Sequence, residues 1–159
     1  KVKETPKKEN KMPSLESLTA VVDSMQTVLQ ADIPKVDVVK YQYAIGRNVD
    51  VYTLYPKSDE AAKSLDLAHG YAIQIDDYRL SVKYAEILLQ NFDDYPGKEK
   101  ILFDLGNNYN LMLRDTVKAK KTFEKFINDF PNSPLVEDAK VSLEHLGMSL
   151  EDIVSGKYQ

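Results

Sequence analysis

YPGKEKILFDLGNNYNLMLRDTVKAKKTFEKFINDFPNSP, from Tyr95 to Pro134, decides how the rest of the chain is read. Leu102, Leu105, Gly106, Tyr109 and Leu113 fall at i, i+3, i+4, i+7 and i+11. Ala119, Phe123, Phe126, Ile127 and Phe130 repeat that helical spacing further on. Both are apolar stripes of an amphipathic helix. Between them lies the polar Arg114-Asp115-Thr116, in which Asp115 or Thr116 can cap the second helix. So short a connection folds the two helices back on each other. Pro131 and Pro134 end the unit, because proline lacks the N–H a helix interior needs. Asn132 or Ser133 can then cap a further helix, with Pro134 at its first position.

The stretch has a sister copy upstream. Residues 66–92 lie on 104–130 without a gap at a shift of 38. Asp66, Leu67, Tyr71, Asp77, Lys83 and Phe92 then meet identical residues at Asp104, Leu105, Tyr109, Asp115, Lys121 and Phe130. Ala68 meets Gly106 and Ser81 meets Ala119. Aromatic-proline pairs at Tyr55-Pro56, Tyr95-Pro96 and Phe130-Pro131 punctuate the units. Two helices in a period of roughly 34 to 40 residues point to an all-α fold, an α-solenoid.

These residues resemble the tetratricopeptide repeat (TPR). Leu105-Gly106-Asn107-Asn108-Tyr109 fits that motif's first helix, and Ala119, Phe123 and Pro131 fit its second. The match departs in three ways. No tryptophan opens the first helix, the turn after Tyr109 is about one residue longer than usual, and the upstream copy has Ala68 for glycine and Ser81 for alanine. The resemblance implies a right-handed TPR-like α-solenoid of about three helix pairs plus C-terminal capping helices. The pairs are expected at about 14–55, 57–94 and 97–131, with the cap at 134–156.

The remaining segments fit that plan. Residues 1–12 form a polar leader with five lysines and two glutamates, net +3, expected to be disordered. Ser14 caps a first helix with Leu15, Leu18, Val21 or Val22, Met25 and Leu29 on its stripe, ending at Ala31-Asp32-Ile33-Pro34. The second runs from about Val36 to Leu54, with Val38, Tyr41, Ile45, Tyr52 and Tyr55 apolar. Ser58 or Asp59 caps a third helix reaching about Ile75, and Asp76-Asp77 turns into a fourth, Tyr78 to Phe92. A seventh is expected from Pro134 to Leu146, with Gly147 just past its end. Ser149 starts a last short helix whose Leu150 and Ile153 are expected to cover the open end of the stack.

Composition narrows the functional classes. The length of 159 residues suits one domain. There is no apolar run near 18 residues, the length of a membrane-spanning helix. A net charge of −4 argues against a nucleic-acid partner. The absence of cysteine excludes disulfides, thiolate metal sites and cysteine nucleophiles. His69 and His145 lack a partner at metal-ligand spacing, no glycine-rich phosphate loop occurs, and no serine has a nucleophile-elbow context. Catalysis, metal and cofactor are therefore not expected.

The closing segment FINDFPNSPLVEDAKVSLEHLGMSLEDIV (126–154) resembles the ends of small bacterial TPR proteins, whose broader relatives include cell-envelope lipoproteins and periplasmic proteins. That resemblance implies a scaffold that binds a protein or peptide partner. It also implies a periplasmic location on the outer membrane through a lipid anchor upstream of Lys1, with the cytoplasm as the alternative. In TPR domains the first helix of each pair lines the concave surface. By that register His69, Asn107 and Asn110 are expected to face the groove, flanked by Lys100 and Lys140. Asparagine suits this role because its amide both donates to and accepts from a peptide backbone. The competing expectation is a structural component that self-associates through its apolar end faces, so that the chain is a monomer or a weak homo-oligomer.

Overall fold

The computed structural model describes residues 12–31 and 36–155, without the side chains of Leu150 and Ile153. The leader, the break around Pro34 and the contacts expected of Leu150 and Ile153 lie outside the described residues. Those residues are helical, with no strand among them. The helices are α1 (Leu15–Ala31), α2 (Val38–Leu54), α3 (Asp59–Gln74), α4 (Tyr78–Asn91), α5 (Lys98–Asn107), α6 (Thr116–Asp129), α7 (Val136–Glu144) and α8 (Leu150–Ser155). A five-residue π-helical turn, Asn108–Met112, extends α5. From α1 to α7, each helix packs against its neighbours in the chain.

Polar caps set the helix starts. Ser14 Oγ accepts from Ser17 N at 3.2 Å. Asp37 accepts from Val39 N and Lys40 N, which places the start of α2 two residues later than the expected Val36. Ser58 caps α3, and Asp77 and Asp115 cap α4 and α6 through matching 3.0 Å bonds to Leu80 N and Lys118 N. Such caps satisfy backbone donors that have no intrahelical partner. At the last helix Ser149 and Asp152 bond reciprocally. α7 is shorter than expected. Its N-cap is Leu135, and the Ser133 hydroxyl accepts from Leu135 N one turn ahead of the helix.

The main core runs from Ile45 on α2 to Ala139 on α7, with Leu65, Leu88, Phe123 and Phe126 fully enclosed. A smaller cluster joins Leu18, Val22 and Val51. Val22 rather than Val21 is therefore the buried member of the α1 stripe. On α2 the core face is Ala44, Ile45, Asn48 and Val51, whereas Val38 is exposed.

The 38-residue register is visible in the backbone as well as in the side chains. The two non-glycine residues with positive φ among those described are Asp76 at 57° and Arg114 at 56°, which are equivalent positions. Each sits in the turn just before the capping aspartate. The helices leading into these turns differ. α3 stays α-helical to Gln74, while α5 changes to π winding from Asn108. Asp77 N bonds to Ala72 O, but Asp115 N reaches one residue further back, to Tyr109 O. The wider turn takes up chain that an α-helix would carry onward.

Candidate functional site

Gly106 fixes the approach of α5 to α6. A Cβ built there would lie 2.7 Å from Phe123 Cε1, so the ring occupies the space that a side chain would need. The equivalent residues of the preceding pair are Ala68 and Ala85, both fully buried. One pair sets alanine opposite alanine, and the other sets glycine opposite phenylalanine.

Around this packing the five expected groove residues separate. His69 is only 1% exposed, so it is corrected from a solvated groove to the interior. Its Nδ1 lies 2.8 Å from the Ser81 hydroxyl and 3.1 Å from the Ser81 carbonyl, and Ser81 Oγ accepts from Asn108 Nδ2 at 3.0 Å. The other ring nitrogen, Nε2, faces Asp104 Oδ2 at 3.8 Å. Lys100 Nζ lies 2.5 Å from the same Asp104 oxygen. Burial works against the Asp104 charge, but the neighbouring His69 ring and the bonded Lys100 ammonium outweigh it and hold the carboxyl below its ordinary range. Asn108, Ser81, His69, Asp104 and Lys100 thus form a polar chain joining α3 and α4 to α5 and its π turn. The order serine, histidine, aspartate resembles a hydrolase triad, yet Ser81 is fully buried and presents no nucleophile to a substrate.

Asn110 is corrected in the same way. It is 3% exposed, and its Oδ1 accepts from Gly147 N at 2.9 Å, tying the π turn to the segment after α7. Gly147, with φ of 79°, occupies the expected left-handed position. Lys140 is exposed and pairs within its own helix, 2.6 Å from Glu137 Oε1. Asn107 is half-buried, and its side-chain amide has no hydrogen bond among the described residues. Of the two asparagines expected in the groove, it alone keeps its amide available. The sequence pattern did not mark Ser81 or Asn108 as site residues, although Asn107-Asn108 places two adjacent asparagines in a helix.

A concave feature lies on the side of α5 away from Asn107, since Leu105 and Asn107 are about 200° apart around the helix. It is an open trough of about 470 Å³ between α4 and α6. Leu89, Leu102, Leu105 and Tyr109 give it an apolar floor. Lys118, Lys121 and Lys125 line one wall at i, i+3 and i+7. Tyr109 donates its hydroxyl to Glu86 on the opposite wall. Burial, and then that carboxylate, push the Tyr109 phenol above its ordinary value. Lys118 Nζ stands 3.7 Å from Glu86 and 5.0 Å from the centre of the Tyr109 ring. Lys125 pairs with Asp129 at 2.7 Å, whereas Lys121 has no carboxylate partner among the described residues. The regular spacing of these lysines was visible in the sequence, but the apolar floor behind them was not.

Among the described residues, no group of three or more histidine, cysteine, aspartate or glutamate side chains could hold a metal ion. No helix among them is long and apolar enough to cross a membrane. No known protein-family model matches the chain, and no curated protein matches its sequence.

Proposed function

We propose that this chain is a right-handed TPR-like α-solenoid that binds a peptide or partner helix, with the face of α5 around Asn107 as its contact surface. The uncommitted amide of Asn107 carries the reading. An exposed helix gains little from asparagine, a mediocre helix former, unless its amide is used. The shared register of the two central pairs, with paired left-handed residues and capping aspartates, supports the repeat assignment. Catalysis has no part in the proposal, because Ser81 and His69 of the triad-like arrangement are buried. Asn107→Ala is expected to reduce capture of the partner by the purified chain while leaving far-UV circular dichroism unchanged. Undiminished capture by a fully helical variant would count against it.

One observation favours self-association as a second reading. Val36, Val38, Val39 and Tyr43 on and before α2 are exposed, as are Val21 and Val28 on α1. The first pair therefore offers apolar surface that another copy could cover. Light scattering through a dilution series tests this, and a strict monomer at high concentration removes it. The cell-envelope location is proposed on the resemblance alone. The residues encoded before Lys1 test it. An apolar run ending in a small residue and cysteine would support a lipid anchor, and a different leader would favour the cytoplasm.

A further inference from the structure

We propose that the α4/α6 trough is a docking site for an acidic, amphipathic helix of a protein partner. The inference rests on reading the chain as a binding module, but it uses a surface on the far side of α5 from Asn107.

The repeat register supplies the first argument. Lys118, Thr122 and Lys125 stand where the preceding pair has Leu80, Tyr84 and Ile87. Tyr84 is buried, and Leu80 and Ile87 pack against the main core. Lys118 and Lys125 are thus exposed where Leu80 and Ile87 pack against the core, while Thr122 stays buried like Tyr84. Replacing tyrosine by threonine removes a ring, and replacing leucine and isoleucine by lysine puts charge where packing would otherwise be. Half-buried Leu89 lines the opening, with buried Leu102 and Leu105 at its floor. The trough holds about three times the volume that admits one benzene ring, enough for the apolar side chains along one face of a helix.

Charge supplies the second. The chain carries net −4, yet this wall presents three lysines in succession. Glu86 answers Lys118 and Asp129 answers Lys125, leaving Lys121 at the centre without a carboxylate partner among the described residues. The span from Lys118 to Lys125 is about 10.5 Å along α6. Acidic residues spaced i, i+3 or i+4, and i+7 on a docked helix would match it, with leucine or phenylalanine side chains entering the floor. A nucleic acid or a free anion would use the lysines but not the apolar floor, so an acidic amphipathic segment fits the combined surface best.

The test is selection of random peptides displayed on phage against the full chain, followed by titration of the selected peptides and mapping by amide chemical shifts. The expected peptides carry apolar residues at helical spacing flanked by aspartate and glutamate, and shift Leu102, Leu105, Tyr109 and Lys118 to Lys125. Lys121→Glu is expected to weaken them by about tenfold or more at low salt, and Lys120→Glu, the same charge change on the neighbouring residue, by far less. Selected peptides that are neutral or basic, or that bind Lys121→Glu equally well, would overturn the proposal. So would an anionic oligonucleotide or vesicle competing as effectively as the acidic peptides, or the same shifts arising from a second copy on concentration alone. Peptides mapping to the Asn107 face would overturn the trough while supporting the binding function. Loss of function in Asn107→Ala with trough binding intact would separate the two in the other direction.

Discussion

The α3–α4 pair and the α5–α6 pair share a register of 38 residues and solve the same packing problem differently. The first sets Ala68 and Ala85 at the positions where the second sets Gly106 and Phe123, and all but Gly106 are among the fully enclosed apolar residues. The first covers its outer face with Leu80, Tyr84 and Ile87, while the second leaves a trough edged by lysine. Equivalent backbone therefore does not mean equivalent surface. Where Leu80 and Ile87 pack against the core the surface is closed, and where Lys118 and Lys125 stand in their place it is charged and exposed.

The largest effect is expected from the second pair's own packing solution. Phe123→Ala should cost about 3–5 kcal/mol in urea unfolding, because a fully buried ring leaves a cavity. Gly106→Ala should cost about 1–3 kcal/mol by overpacking against that ring. Combining the two recreates the alanine pair of the upstream copy, so the double variant should be more stable than the sum of the separate losses predicts. Strict additivity would break the comparison.

Ser81→Ala gives the first pair the alanine of the second at that position. It should cost about 1–3 kcal/mol, because Asn108 Nδ2 loses its partner inside the core and His69 Nδ1 keeps only the backbone carbonyl of residue 81. An effect near zero in thermal and urea unfolding would show that the polar chain does not join the pairs.

Acidification probes the same joint. The Asp104 carboxyl is depressed in the folded chain, so its contribution to stability is present above the ordinary aspartate value and is lost as pH falls through the folded value. The stability difference between the parent chain and Asp104→Asn should therefore shrink below about pH 4. A constant difference across the acid range in urea unfolding would contradict the assignment.

The smallest effect on stability is expected from Lys118→Leu with Lys125→Ile, which transplants the first pair's residues onto the second. As exposed positions they should change unfolding by no more than about 0.5 kcal/mol each, while acidic peptides lose their site. A large change in stability would mean that the lysines are structural and not a rim for a ligand.

Much of the fold was legible in the sequence. Helical stripes and capping residues placed α3, α4 and α6 to within about a residue, as cap chemistry allows. Pro134 misled the reading of α7, because a proline can open a helix but here stands in the turn before it. The site was less legible, since helical register assigns a face but not a depth. His69 lies on the α3 face expected of a groove residue, yet a serine twelve positions away draws it inward. Asn110 is turned to Gly147 by π winding that the longer turn after Tyr109 hinted at without specifying. The trough required knowing that Leu89, Leu102 and Leu105 line an opening between α4 and α6, which depends on tertiary spacing rather than local pattern.

The most direct test of the binding function is photo-crosslinking in cells from position 107, with Lys120 as the control position. A discrete adduct with another protein from 107, and none from 120, is the expected result. Only self-adducts, or equal smears from both positions, would contradict the account and leave the Asn107 face as ordinary solvated helix.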